Sequence, residues 1–222
     1  EWYDFYIYGT AAALVFPKVF FPALGPAAGT VASFGTFAVA FFARPVGAVL
    51  FGHYGDRIGR KRTLIATLLL MGFATVLIGL LPGAATIGAA APIALVLLRF
   101  VQGFAVGGEW AGATLLAAEY APKEKRGLYG VFPQLGAPIA FGLSSATFLL
   151  TGLVLGDSDE AFLEYGWRIP FLASMLLIAV GFYVRTSIAE TPAFRAAQAG
   201  APADRPRRLP FVEVLRSQPR EV

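Results

Sequence analysis

The chain contains no cysteine and a single histidine, His53, which leaves no residues for a disulfide, a thiolate-bound metal or a multi-histidine metal site. No cofactor is expected. Charge is scarce as well: 14% of the 222 residues are Asp, Glu, Lys or Arg, against about a quarter in a soluble domain. With 57% hydrophobic residues and a mean hydropathy of +0.65, the composition is that of a protein whose solvent is the lipid bilayer. A net charge of +4 would suit nucleic acid, but the bases fall in short segments between apolar runs. That pattern is membrane topology, and it excludes nucleic acid as a partner. Catalysis lacks its parts too. No haem or zinc ligand set and no Ser/His/Asp arrangement is present, and the Gly-rich run from Gly103 to Gly112 lacks the strand that precedes a phosphate loop. No enzyme is expected.

What is present is a series of spans. Segments 1–21, 31–51, 63–81, 92–118, 128–155 and 167–186 are each apolar and long enough to cross about 30 Å of hydrocarbon as helices, which predicts an all-α six-helix transmembrane bundle over 1–186. Thr63 to Leu98 holds no charged residue and would run to about 54 Å as one helix; Pro82-Gly83 divides it. Gly52 to Arg62, GHYGDRIGRKR, sets four bases, one acid and three glycines in a loop between two spans, and Glu119 to Gly127 carries three more bases. Cytoplasmic loops collect Lys and Arg, so both hairpins are placed inside. The uncharged turns Pro22 to Thr30 and Ala84 to Ala91 and the acidic segment Gly156 to Tyr165 are placed outside. From residue 187 the composition shifts to Ala, Pro and Arg, a basic cytosolic linker over 187–222. Of the 18 bases, 14 fall on the inner side, three lie within spans and only Arg168 sits near the outer face. Both ends are thereby cytosolic. Opening in an apolar run and stopping in a polar one, the sequence reads as a fragment.

An ionised group inside a bilayer costs about 3 kcal/mol or more unless it is paired or wetted, so each one in a span needs a purpose. In the first span Glu1, Asp4, Tyr8, Ala11, Val15 and Lys18 share a helical stripe, although Glu1 and Lys18 are also placed to snorkel at the span ends. Arg44 shares a stripe with Ser33, Ala40 and Gly47 and needs either a partner acid or the cytosolic interface. In the fourth span Arg99, Gln102, Val106, Glu109 and Ala113 share a stripe, and the pairs Gly103/Gly107 and Gly108/Gly112 allow another helix backbone to come close. Arg44 and Glu109 lie in one layer, roughly 10–14 Å from the cytosolic ends, which Glu1 and Asp4 are able to join. Such a layer is either an ion-pair lock between helices or a polar path, in which protonation of a carboxylate beside an Arg changes the partner the Arg prefers. The fifth span carries Gln134, Ser144 and Ser145 with Pro133 and Pro138, which bend a helix. Trp167 and Tyr183 are expected as interface anchors.

These residues bring a family with them. Gly52, Asp56, Arg57, Gly59, Arg60 and Lys61 match the signature loop of the major facilitator superfamily (MFS), and the segment from Arg99 to Gly103 resembles its second motif. EWYDF (1–5), ARPVG (43–47), RFVQGFAVGGEWAGA (99–113), YAPKEKRG (120–127), GWRIPF (166–171) and ETPAF (190–194) together resemble the metabolite:H⁺ symporter family, whose members carry organic acids and osmolytes such as shikimate, dicarboxylates and betaine. The resemblance implies a twelve-helix carrier of the bacterial inner membrane working by alternating access, of which this chain is the N-terminal half and the start of the central loop. It also implies an inner latch, in which Gly52 permits close helix contact, Asp56 faces a helix N-terminus of the C-terminal half and Arg60 pairs with an acid. Arg99 follows as the motif's charge on helix 4, and Glu1, Asp4 and Glu109 as membrane carboxylates.

The expected function is proton-coupled symport of a small organic anion, whose partners are the proton, the bilayer and the C-terminal six-helix half. Glu1, Asp4, Arg99 and Glu109 are the candidates for proton coupling and ion pairing. Tyr8, Arg44, Arg99, Gln102 and Gln134 are the candidates for binding substrate, the guanidinium groups suiting a carboxylate. Gly52, Asp56, Arg57, Gly59, Arg60, Lys61 and Arg126 form the gating set. The rivals are a uniporter or efflux carrier of the same fold and a transport-inactive membrane sensor or scaffold.

Overall fold

A computed structural model describes residues 1–155 and 159–187, and these are helical with no strand among them. Six long helices carry the fold: α1 (Trp2–Leu14), α2 (Gly25–Ile58), α3 (Arg60–Leu80), α4 (Ala90–Tyr120), α5 (Arg126–Leu155) and α6 (Arg168–Ser187). All but α1 are long and apolar enough to cross a membrane unaided. The linker expected over 187–222 lies, apart from Ser187, outside the described residues, as does Asp157 of the acidic segment.

The core is built on α1. Tyr3, Ile7, Tyr8, Ala11, Ala12 and Val15 recur at helical spacing and are buried, joined by Phe16 and Phe20 beyond it and by Leu95, Phe148, Trp167 and Phe171 from the helices around it. Small residues set how closely the other helices approach. Gly47 of α2 and Gly103 and Gly107 of α4 lie against the facing backbone, so that a Cβ on Gly107 would run into Arg44 and one on Gly103 into Ala40. The two helices run parallel, 40 against 103 and 44 against 107. The close approach expected at Gly103 and Gly107 is therefore made, with α2 as the partner. Helix α3 runs antiparallel to α6 and meets it with Gly79 at Phe171, Gly72 at Ile178 and Gly181 at Leu68, a glycine facing a large side chain at each of the three.

Four local expectations change. A continuous first helix is interrupted at Val15 (φ −117°, ψ −52°), because Pro17 cannot donate to a preceding carbonyl and its ring crowds the turn. Lys18 is carried off the stripe and is exposed. Pro22 to Thr30 is mostly helix: a short turn at Pro22–Leu24 ends at Gly25 (φ 74°), and Pro26 opens α2, where its missing N–H is no loss. Gly52 to Arg62 is no loop. Helix α2 continues to Ile58, Gly59 alone turns the chain at φ 105° and ψ 143°, a conformation glycine adopts freely, and α3 begins at Arg60. Trp167 is no interface anchor either; it is buried among Phe16, Phe20 and Phe171, and its indole N–H donates to the Leu163 carbonyl at 3.1 Å.

Candidate functional site

The rotation of α4 sorts its polar residues. At about 100° per residue, Gly103 and Gly107 turn toward α2, Gln102 and Glu109 toward α3 and α6, and Arg99 and Val106 fall between, toward α1. Arg99 is 2% exposed. Its guanidinium carbon lies 4.0 Å from the centroid of the Tyr8 ring and 4.6 Å from that of Phe37, an arrangement in which the ring faces replace part of the lost hydration. Nη1 donates to Gln102 Oε1 at 3.0 Å, and Gln102 Nε2 donates to Thr75 Oγ1 at 2.7 Å. The amide is thus oriented from both sides. On α1 the Tyr8 hydroxyl is paired with Thr36 Oγ1 at 2.7 Å, and Ser33 donates to the Ala12 carbonyl at 2.7 Å, which fixes α1 against α2.

Asp4 is buried in the same region, with Arg99 and Ser174 close enough to act on it. Among the described residues its Oδ1 has no hydrogen-bond partner, nor do Nε and Nη2 of Arg99. Beside them opens a cavity of about 370 Å³ between α1, α2 and α4, lined by Trp2, Phe5, Phe41, Pro45, Ala48, Val106 and Gly107, with Glu1 and Arg44 as its charged members. Arg44 stacks 4.6 Å from the Phe41 centroid and 5.5 Å from that of Phe5. Phe5 also stands 5.8 Å from the Arg99 guanidinium, so the two cations share one aromatic neighbour. Arg44 Nε and Glu1 Oε1 are buried with no hydrogen-bond partner among the described residues.

Glu109 is not in this cluster. Although Arg44 lies against Gly107, Glu109 is turned toward the opposite side of α4, where it is ion-paired with Arg185 of α6. Equal depth did not mean a shared face of α4: Glu109 pairs with Arg185 and Arg44 faces the cavity. Gln134 is exposed on α5 and does not line the cavity.

Of the gating set, Gly59 makes the α2–α3 joint, Arg126 is exposed at the start of α5, and Lys61 Nζ donates to the Thr186 carbonyl at 2.6 Å. Nothing stands within 4 Å of a Cβ at Gly52, so the close contact implied for it is not made within the described residues. The side chains of Asp56, Arg57 and Arg60 lie outside what is described.

Sequence reasoning passed over Thr75, Thr36 and Arg185. The signal for Arg185 was the spacing 171, 174, 178, 181, 185, one face of α6, and the same face rule applied to α1 and α4 would have turned it inward. Arg168, the base expected near the outer face, donates to the Gly79 and Leu81 carbonyls at 2.7 and 2.9 Å. It serves the open carbonyls where α3 ends.

Residues 1–205 match the family model described as sugar (and other) transporter. The inner membrane metabolite transport protein YhjE of Escherichia coli K12 is 58% identical over 194 residues, covering 87% of this chain and 44% of that protein. The shikimate transporter of the same strain is 49% identical over 219 residues, covering 99% of this chain and 49% of that protein. In structure, the E. coli xylose transporter XylE in its inward open conformation aligns with a TM-score of 0.71 at 19% identity, over 89% of this chain and 47% of that one. The chain spans about half the length of the relatives it matches.

Proposed function

Because the chain belongs to the sugar (and other) transporter family, with the six-helix half-fold of the major facilitator superfamily, we propose that it forms the N-terminal half of a proton-coupled symporter for a small organic anion. One observation carries this reading: a buried carboxyl, Asp4, and a buried guanidinium, Arg99, lie near a cavity that presents the Arg44 guanidinium, with Phe5 close to both cations. While Asp4 is ionised its charge holds Arg99. When Asp4 takes a proton, the charge of Arg99 is no longer offset and the positive field in the neighbouring cavity rises, so a carboxylate held there by Arg44 is bound more tightly and proton and anion favour the same state. Arg44 supplies a fork for the carboxylate, and the faces of Trp2, Phe5 and Phe41 receive the carbon skeleton. Tyr8 and Gln102 act by orienting Arg99.

In this scheme the Gly59 end of the bundle is cytosolic, both ends of the chain lie on that side of the inner membrane, and the basic hairpins there meet the C-terminal six-helix half. Alternating access opens and closes that contact. Shikimate, the solute named for one relative, is the first to try. In proteoliposomes of the full-length carrier under an imposed inward proton gradient, labelled shikimate is expected to accumulate. Asp4→Asn is expected to abolish accumulation while exchange of labelled for unlabelled solute persists. Flux indifferent to collapse of the gradient removes the coupling.

A further inference from the structure

Glu109 and Arg185 have no role in the proposed cycle. Glu109 is 1% exposed on α4. Arg185, near the end of α6, pairs with it and donates as well to the Leu64 carbonyl of α3, so three helices meet at one guanidinium. Close by, Lys61 at the start of α3 donates to the Thr186 carbonyl at the end of α6, where the helix dipole favours a cation. At the other end of the same helix pair Arg168 of α6 holds the last carbonyls of α3, and between the two ends the glycine-to-large contacts run without a gap in register.

A buried ion pair adds little net stability, since desolvation offsets the attraction, but removing one partner strands the other. What it does supply is a fixed relation between the elements that carry it. We propose that the Glu109–Arg185 pair is a strut that makes α3, α4 and α6 a single rigid unit during the carrier's conformational step. Arg185 is then a positioning residue, and Glu109 serves the strut and not proton transfer. The kinetic consequence rests on the transport reading; the mechanical one does not.

These 222 residues hold no cysteine, so once any cysteine of the C-terminal half has been replaced by serine, a single introduced thiol reports on this bundle alone. Thr67, fully buried on α3, is replaced by Cys in the full-length carrier, and its labelling by N-ethylmaleimide is timed. Glu109→Gln and Arg185→Gln are each expected to speed labelling by about tenfold, as local opening becomes easier. Exchanging the charges, with Glu109→Arg and Arg185→Glu together, is expected to restore most of the protection, and Arg185→Lys to keep it. In shikimate uptake, either single Gln variant is expected to lower the maximal rate by about tenfold, with KM and the final accumulation ratio unchanged. Unchanged labelling in both Gln variants overturns the strut, and so does loss of accumulation with exchange preserved in Glu109→Gln. If the unsubstituted carrier moves no shikimate, that choice of solute fails, while labelling still decides the strut.

Discussion

Replacing Gly107 by Ala tests the crossing on which the cavity depends. The added methyl carbon would run into the Arg44 carbonyl oxygen, with Ala48 N only 2.7 Å away and the Arg44 carbonyl carbon 3.0 Å away. These are backbone atoms of a helix, so no rotamer change relieves them. Either α2 shifts bodily away from α4 or the strain stays, and overpacking of this kind costs about 1–3 kcal/mol. Alanine also gains about 1 kcal/mol over glycine in helix propensity, which would blur a single measurement. Gly142→Ala on α5 removes the ambiguity, because nothing lies within 4 Å of its Cβ. It takes the propensity gain without the clash. The difference between the two variants is then the steric term alone, about 1–3 kcal/mol, read as the difference in unfolding free energy of the full-length carrier in detergent. Arg44 must move with α2, so shikimate affinity should fall in Gly107→Ala and hold in Gly142→Ala. If Gly107→Ala proves as stable as Gly142→Ala, the α2–α4 approach described above is wrong.

Two further outcomes are expected. Arg99→Lys keeps the charge but loses the planar group between the Tyr8 and Phe37 rings and the bond to Gln102, so shikimate uptake should fall by at least about tenfold with the melting temperature little changed; near-normal uptake would exclude a role for the guanidinium. Arg168→Gln withdraws cationic donors from the Gly79 and Leu81 carbonyls. The site is partly solvated, so a loss of about 1–2 kcal/mol is expected, read by thermal unfolding, with KM unaffected.

The fold was legible because its signals are coarse. Hydrocarbon thickness demands long apolar runs, and the grouping of Lys and Arg needs no fine geometry to be read. The stripe through Asp4 and Tyr8 was legible for the same reason: helical period alone turns those residues toward the core. Joints were harder. Pro26 and Gly59 both look like loop residues, and only the backbone shows Pro26 opening a helix and Gly59 turning the chain by itself. The site was legible residue by residue and not as an arrangement. Depth along a helix is countable from sequence, so Arg44 and Glu109 fell in one layer, but azimuth between helices depends on the crossing at Gly103 and Gly107. That crossing turns Glu109 away to Arg185. Thr75 carries no charge to draw notice, and its role exists only because Gln102 of another helix ends beside it.

A connection made by Gly59 alone leaves α2 and α3 almost no slack. Two backbone torsions must absorb any change in the angle between those rods, so a tilt of the first drags or twists the root of the second in the same instant. Insertions at this point should be tolerated far less well than at Pro82-Gly83, and residues flanking Gly59 would act as a crank through which movement of one helix reaches its neighbour.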